Sequence, residues 1–296
     1  MKIDVLVIGE LLADLISDEY VNTLSAAKTF HLFQGGSPSN FCANLKWLGN
    51  ETELVACVGN DSIGNFLTQS LLNIGLSGSY INKNNSLPSS IVLVGKSQAS
   101  PDFIAYRLAD AQIAEVDSSL IANSTIIHTS AFALSLNPAR TSILNAMRVA
   151  SKAGKLVSVD WNFAPQIWHN NTGIGVFEEL CTMNLLLKLS LDDFMRFSGN
   201  YKASAEDAMR FLDNYTTNAT CLTCGSNGVF YKSSGTNWQK AEAQKITVKD
   251  TTGAGDAFWA GFISAFLSNS NLNECVEKGI QIASQKIQKL GPLYCK

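Results

Sequence analysis

Short apolar runs alternate with segments of helical periodicity along most of this chain. The apolar runs have the form of buried parallel strands and occupy residues 5–9, 54–58, 126–129, 156–160, 185–189 and 220–223. Apolar positions three and four residues apart predict helices over residues 39–48, 63–72, 141–153, 203–214, 257–267 and 272–290. This alternation predicts an α/β fold with a mainly parallel central sheet and helices on both of its faces. Such sheets bind ligands beyond the carboxyl ends of their strands.

Two stretches, residues 20–33 and 88–107, interrupt the alternation. They have no helical segments of their own, and their β-rich runs lie at 29–33, 90–94 and 103–107. We therefore expect the whole chain (1–296) to form one α/β domain whose inserted strands build a small β-sheet lid over a cleft. The length would equally allow two domains. Because lid strands expose unpaired edges, we also expect a homodimer joined through the lids.

The composition fits a packed globular protein. Hydrophobic residues make up 46% and charged residues 16% of the chain, which excludes a disordered or fibrous protein. The 22 Lys and Arg residues against 25 Asp and Glu leave a net charge of −3 without a basic cluster. We therefore expect neither nucleic acid nor a membrane as a partner.

Two further features bear on where the protein resides. The strongly apolar stretch at residues 257–267 is far shorter than the ~20 residues of a membrane-spanning helix. Asp4, Glu10 and Asp14 interrupt what would have to be an uncharged signal core, and the 7 cysteines are odd in number and scattered, as free thiols usually are. We therefore expect a cytoplasmic protein.

The most informative stretch is a glycine-rich loop at residues 249–256 that leads into a predicted helix. Gly253 and Gly255 let the backbone turn tightly, so that successive N–H groups point toward one place at the positive end of the helix. This arrangement predicts an anion cradle. Asp256, in the same loop, either takes a proton from a hydroxyl that attacks a bound phosphate or only caps the helix.

The Walker P-loop, the dinucleotide fingerprint and the protein-kinase motifs are absent. Instead, Asp-Thr-Thr-Gly-Ala-Gly-Asp-Ala-Phe at 250–258 resembles the C-terminal signature of the PfkB (ribokinase-like) carbohydrate kinases. Gly-Gly-Ser-Pro-Ser-Asn at 35–40 resembles their N-terminal signature, and landmarks between the two extend the resemblance over nearly the whole chain. The pattern is most similar to fructokinases and 2-keto-3-deoxygluconate kinases.

The resemblance implies a sugar site between the main sheet and the lid. By position, the residues that would hold sugar hydroxyls are Asp14, Gly35, Gly36, Asn40, Asp160 and Asn162. Carboxylate and amide groups suit this role because each makes hydrogen bonds in defined directions. Asn40 could instead begin a helix.

The lid segment around Tyr106 and Arg107 resembles a landmark of the same kinases. Arg107 could meet an anionic sugar or a phosphate, or be a solvated residue of an edge strand. Ala164 stands where fructokinases often carry an arginine, so one phosphate donor is missing.

The resemblance also implies an ATP site across the strand ends. Asp256 would be the base, and the N–H groups of Gly253, Ala254 and Gly255 would stabilise charge on the transferring phosphoryl group. The residues that would contact the nucleotide are Lys188, Ser190, Thr223, Gly225 and Gly228. Lys188 could instead be solvated at the end of its strand.

Metal ions are implied by the same resemblance. The family's Asn-x-x-Glu, which acts through water on magnesium, is here Ser190-x-x-Asp193, so Asp193 would contact Mg²⁺ through water. Asp250 and Thr252 match positions that hold a monovalent cation, such as K⁺, in some members.

These observations predict an ATP-dependent, magnesium-requiring kinase that phosphorylates a primary hydroxyl of a small sugar, with a fructose-like hexose favoured. The alternatives are a kinase for 2-keto-3-deoxygluconate or another sugar acid, a nucleoside kinase, or a sugar sensor that has kept the fold without catalysis.

Overall fold

A computed structural model describes residues 2–96, 102–168, 173–289, 291 and 293–294. Its main sheet has nine strands: seven neighbouring strands pair in parallel, and the two strands at one edge make antiparallel pairs with their neighbours. In spatial order they are β13 (Gln239–Ala241), β12 (Val229–Ser233), β11 (Ala219–Thr223), β10 (Leu185–Ser190), β9 (Leu156–Asp160), β8 (Ser124–Ser130), β1 (Ile3–Ile8), β4 (Thr52–Gly59) and β5 (Ile81–Asn84).

Helices cover both faces of this sheet. Side chains of a strand alternate between faces, and on β1 Val5 and Val7 join one apolar core while Leu6 and Ile8 join the other. The first core takes in α1 (Ser37–Trp47), α2 (Ser62–Asn73), α8 (Ala254–Leu267) and α9 (Leu272–Ile287). The second takes in α3 (Ser118–Asn123), α4 (Ala139–Lys152), α5 (Gly173–Cys181), α6 (Leu191–Ser198) and α7 (Ala205–Leu212). The predicted α/β architecture is therefore confirmed.

The predicted helices and the observed ones differ mainly at their ends. Helix α8 begins at Ala254 instead of residue 257, because the glycine-rich loop already has helical geometry after Gly253. Helices α3, α5 and α6 were not predicted, because each has nine residues or fewer and so shows little periodicity; a capping box between Ser190 and Asp193 fixes the start of α6. Residue 290, the predicted end of the last helix, lies outside the described residues.

The small sheet has four strands, in the order β3 (Phe30–Gly35), β2 (Leu12–Tyr20), β6 (Ile91–Lys96) and β7 (Phe103–Tyr106). It therefore starts at Leu12, earlier than the residue 20 expected from sequence. Three acidic residues, Asp14, Asp18 and Glu19, interrupt the apolar pattern of β2, so the strand could not be recognised from the sequence. Residues 97–101 of the second inserted stretch lie outside the described part of the chain.

The sequence predicts free cysteine thiols and no membrane-spanning helix. Within the described ranges, no helix combines the length and the apolar character needed to cross a bilayer. Six cysteines are free, and five of these are buried. Cys295 lies outside the described residues.

Candidate active site

A cleft of about 850 Å³ opens between the small sheet and the loop that precedes α8. One wall is formed by the small sheet and α1, with Asp14, Gln34 and Asn40, and the opposite wall by the loop, with Thr252 and Gly253. Ser226, which follows the carboxyl end of β11 (Ala219–Thr223), also lines the cleft, as expected for ligand sites on open parallel sheets.

Asp256 lies directly behind this wall, in the first turn of α8. Its Oδ1 accepts a hydrogen bond from the Ser37 hydroxyl at 2.7 Å, and its Oδ2 accepts one from the Asn40 amide at 3.2 Å. The N-cap residue of α8 is Gly253, and the helix has no side-chain cap. The carboxylate is therefore held by α1 and does not cap its own helix, the alternative left open by the sequence.

Burial raises the pKa of Asp256 above its ordinary value, although the residue remains 8% exposed. The hydrogen bond from Ser37 and the charge of Lys188 oppose part of this rise. Because a raised pKa makes a carboxylate a better proton acceptor, the environment favours a base at this position.

The anion loop, residues 253–255, has the geometry that its glycines allow. Gly253 has a φ of +72°, a left-handed conformation that favours glycine. A Cβ on Gly255 would lie 2.7 Å from the Lys188 ammonium nitrogen, so a larger residue at this position would have to displace that ammonium group. The Ala254 N–H donates to the Thr251 carbonyl at 3.1 Å and is therefore engaged within the turn. The N–H groups of Gly255 and Asp256 lie in the first helical turn, which offers them no carbonyl partner.

Lys188 and Asp160 form a buried ion pair under this loop. They are directly opposite each other on β10 and β9, and the ammonium nitrogen lies 2.9 Å from both carboxylate oxygens. Lys188 is 4% exposed, so it is not solvated. Burial alone would lower the pKa of Lys188, but the attraction of Asp160, Asp193 and Asp256 together raises it. The lysine therefore keeps a positive charge beneath the anion loop.

Asp14 projects from β2 into the cleft and packs against Gly35. Burial, and then the negative charge of Asp256, raise the pKa of Asp14 to about 7. A Cβ on Gly35 would lie 2.2 Å from an Asp14 carboxylate oxygen, so glycine is required there for the carboxyl to occupy its position. Gly36 has a φ of +101°, and a Cβ on it would lie 2.4 Å from the Glu10 carbonyl oxygen. Both glycines thus shape the small-sheet wall of the cleft beside Asp14.

The lid residues Tyr106 and Arg107 lie away from the cleft lining. Tyr106 is 51% exposed, and the strand register places it on the opposite face of the small sheet from Asp14. The Arg107 side chain is only 5% exposed, so it is not a solvated edge residue. It pairs with Asp110 at 2.6 Å and donates to the Phe132 carbonyl at 2.8 Å. Its charge therefore has internal partners.

Asn162 also braces the chain after β8, because its Oδ1 accepts the Phe132 N–H at 3.1 Å. Ser190 and Asp193 cap α6, and the other carboxylate oxygen of Asp193 pairs with Arg196. Both oxygens of Asp193 are thus engaged by protein groups. Among the described residues, no group of three or more His, Cys, Asp or Glu side chains could hold a metal ion.

The predicted nucleotide-side residues lie at the end of β11. Thr223 is the last residue of that strand, and Gly225 begins the turn that joins it to β12. Gly228 has a φ of +87°, and a Cβ on it would lie 2.1 Å from the Ala241 carbonyl oxygen. This turn needs glycine for steric reasons. Ser226, which follows Gly225 in this turn, contributes to the cleft lining.

Sequence reasoning missed several residues that complete the site. Ser37 contacts Asp256, and its own N–H donates to Glu10 at 3.0 Å. The Tyr294 hydroxyl donates to the Asn40 Oδ1 at 2.9 Å and so orients the amide toward Asp256. Lys286 pairs with Asp250 at 2.9 Å. These partners are far apart along the chain, and only Ser37 lies inside a recognised motif.

Comparison with known proteins assigns the family. The profile of the pfkB family carbohydrate kinases matches residues 2–296. The chain is 33% identical over 295 residues to an ATP-dependent 6-phosphofructokinase of Thermoanaerobacterium thermosaccharolyticum, covering 99% of this chain and 90% of that protein. It is 27% identical to a 5-dehydro-2-deoxygluconokinase of Lacticaseibacillus casei, with 98% and 91% of the two chains covered.

Solved structures agree with this assignment. The fructokinase of Halothermothrix orenii superposes with a TM-score of 0.83 at 31% identity, covering 95% of this chain and 98% of that one. A sugar kinase of Pyrococcus horikoshii, solved in complex with ATP, superposes with a TM-score of 0.85 at 25% identity, covering 98% and 94%.

Proposed function

Because this chain belongs to the pfkB family of carbohydrate kinases, we propose that it transfers the γ-phosphoryl group of ATP to a primary hydroxyl of a fructose-like hexose, with Asp256 as the general base. One observation carries the proposal. The Asp256 carboxylate lies at the N-terminal end of α8, beside the anion loop, and is held there by Ser37 and Asn40. In the proposed complex, this acid would lie beside both the phosphate on the anion loop and the sugar in the cleft.

The proposed reaction is an in-line displacement. The sugar hydroxyl oxygen forms a bond to the γ-phosphorus, and the bond from that phosphorus to the bridging oxygen breaks, so that ADP leaves with the electron pair. The hydroxyl proton passes to the Asp256 carboxylate. The N–H groups of Gly255 and Asp256 and the positive end of α8 stabilise the charge that develops on the phosphoryl oxygens. Lys188 adds a fixed positive charge below them.

The charges around the cleft favour a neutral sugar over a sugar acid. Asp14 and Asn40 offer acceptors and an amide, which suit hydroxyl groups. Arg107 lies outside the cleft lining and is paired with Asp110, and Lys286 is paired with Asp250. A carboxylate placed beside Asp14 would meet a like charge, whereas the cleft-lining Lys96 lies opposite Tyr20 at the other end of β2.

A second candidate acceptor is fructose 6-phosphate. His31 and Lys96 both line the small-sheet side of the cleft, where an existing phosphate on the sugar could reach them. The relative from Thermoanaerobacterium thermosaccharolyticum carries the name of this activity.

An ADP-release assay across fructose, fructose 6-phosphate, 2-keto-3-deoxygluconate, ribose and adenosine tests the proposal. We expect the highest kcat/KM with fructose. Preference for fructose 6-phosphate, together with loss of that preference in a Lys96→Ala variant, would select the second candidate. ADP release with none of these sugars, despite measurable sugar binding, would favour a sugar sensor.

We also propose that the reaction requires Mg²⁺, since phosphoryl transfer from ATP generally uses the metal on the phosphates. Protein groups engage both oxygens of Asp193, so it would contact the metal only through water. Residence in the cytoplasm is proposed because the described cysteines are free thiols, which persist in reducing compartments.

We propose that the protein forms a homodimer through the outer face of the small sheet, which is the face opposite Asp14. The register places Leu15, Leu32, Leu93 and Ile104 side by side across the four strands, away from Asp14. Leu32 is 42% and Ile104 46% exposed, and exposed apolar patches commonly mark interfaces. We expect a dimeric mass in light scattering at micromolar concentration and a monomeric mass for Leu32→Lys. A monomeric mass of the unchanged protein would contradict the proposal.

A further inference from the structure

Lys286 is a buried lysine in the last turn of α9, next to the anion loop. Lys286 is 5% exposed, and its ammonium nitrogen lies 2.9 Å from a carboxylate oxygen of Asp250 and 3.5 Å from the Asp250 carbonyl oxygen. Burial of a charged group is unfavourable unless a partner compensates it. The Asp250 carboxylate is that partner, and the pair lies at one wall of the cleft.

The same contacts fasten the segment that leads into the anion loop. The N–H groups of Lys249 and Asp250 donate to the Ile287 carbonyl at 2.7 and 3.2 Å, and the other carboxylate oxygen of Asp250 accepts the Thr252 N–H at 2.9 Å. The Lys286 side chain reaches within 3.9 Å of the place where a Cβ on Gly253 would lie. The end of α9 and the residues before Gly253 are thus held together around one ammonium group.

The groups around this ammonium are of the kind that also bind metal cations. They comprise a carboxylate oxygen, a backbone carbonyl oxygen and the negative C-terminal end of a helix. A metal ion bound to Asp250 would lie close to Lys286 in a poorly screened environment and would be repelled. The monovalent-cation assignment of Asp250 and Thr252 therefore does not fit the residues present.

We propose that the Lys286 ammonium is an internal cation that takes the place of a monovalent metal ion beside the anion loop, so that the loop keeps its phosphate-binding form without K⁺. Lys286 is then a positioning residue, which acts through Asp250 and the backbone up to Gly253. Binding of K⁺ beside Asp250 can be measured without knowing which sugar is phosphorylated. A measurement of turnover, in contrast, rests on the proposed function.

The decisive measurement compares melting temperatures in KCl and in tetramethylammonium chloride at equal ionic strength, because the bulky organic ion cannot enter a site made for an ammonium group. We expect the unchanged protein to melt at the same temperature in both salts. In Lys286→Ala, K⁺ should bind at the Asp250 oxygens that the ammonium group leaves, and so raise the melting temperature by about 2–4 °C over the tetramethylammonium value. Lys289→Ala removes an exposed lysine near the same helix end and should behave like the unchanged protein.

Turnover provides the second readout. Lys286→Ala should lose about 10- to 100-fold in kcat in tetramethylammonium chloride, because the anion loop is less well positioned, and K⁺ or methylammonium should restore part of the loss. A K⁺-specific rise of the melting temperature in the unchanged protein would overturn the proposal. So would a folded Lys286→Ala or Lys286→Gln that responds equally to both salts. If neither variant folds, the comparison of salts on the unchanged protein still decides.

Discussion

Replacing Asp256 with asparagine should lower kcat by about 10²–10⁴-fold, the contribution typical of one well-placed general base. Asparagine keeps the size of the side chain and its acceptor oxygen toward Ser37, but it cannot take the hydroxyl proton. The KM values for sugar and ATP should change far less than kcat, because the cleft walls stay in place. Initial rates of ADP release, with sugar and ATP each at saturation, measure the effect.

Two controls make this result specific. Glu115→Gln removes an exposed carboxylate outside the cleft lining and should leave kcat unchanged. An unchanged melting temperature of Asp256→Asn would show that the loss is chemical and not due to unfolding. Turnover of Asp256→Asn equal to that of the unchanged protein would refute the base assignment.

The pH dependence follows from the pKa of the same group. Burial raises the pKa of Asp256, and a general base must be unprotonated to act, so activity should fall as the pH drops through this raised pKa. The acid limb of kcat should therefore lie above the ordinary range of an aspartate. Asp14, with a pKa of about 7, lies close enough to interact with Asp256. Both carboxyl groups contribute to this acid limb of the pH profile of kcat, and the contribution of Asp256 should be absent from Asp256→Asn.

The second large effect concerns the buried ion pair beneath the anion loop. Lys188→Met should destabilise the protein by about 3–5 kcal/mol, because it leaves the Asp160 carboxylate buried without a partner. The double variant Lys188→Met with Asp160→Leu should recover much of this loss, since it removes both charges. Chemical denaturation measures the three free energies of unfolding, and Lys202→Met serves as the exposed control.

The pH response distinguishes an unpaired carboxylate from a simple packing defect. In Lys188→Met the pKa of Asp160 in the folded state should be well above that in the unfolded chain. The folded state then binds more protons than the unfolded one between the two pKa values, so the free energy of unfolding should decrease as pH rises through that window. A loss of stability that is independent of pH, and that Asp160→Leu does not reduce, would contradict the ion-pair explanation.

Activity should respond differently from stability in these variants. The double variant restores packing but leaves no positive charge under Gly255, so its kcat should stay well below that of the unchanged protein. Recovery of both stability and kcat in the double variant would show that Lys188 has a purely structural role.

The sequence by itself determined the class of fold and the family. Strand and helix periodicity is a local property, so the main sheet and most of its flanking helices could be predicted, while short elements such as α6 and the charged strand β2 could not. The anion loop was also readable from sequence, because its glycines meet a local requirement: a positive φ at Gly253 and a close approach to Lys188 at Gly255.

The tertiary structure alone decided which of the matched residues face the cleft and which brace the fold. Arg107 and Asp193 carry the right chemistry for a phosphate or a metal, yet Asp110 and Arg196 already neutralise them. Ser37 and Asp256 are 219 residues apart along the chain and share a hydrogen bond of 2.7 Å. Charge pairing and burial depend on such long-range contacts, which no local pattern of residue types records.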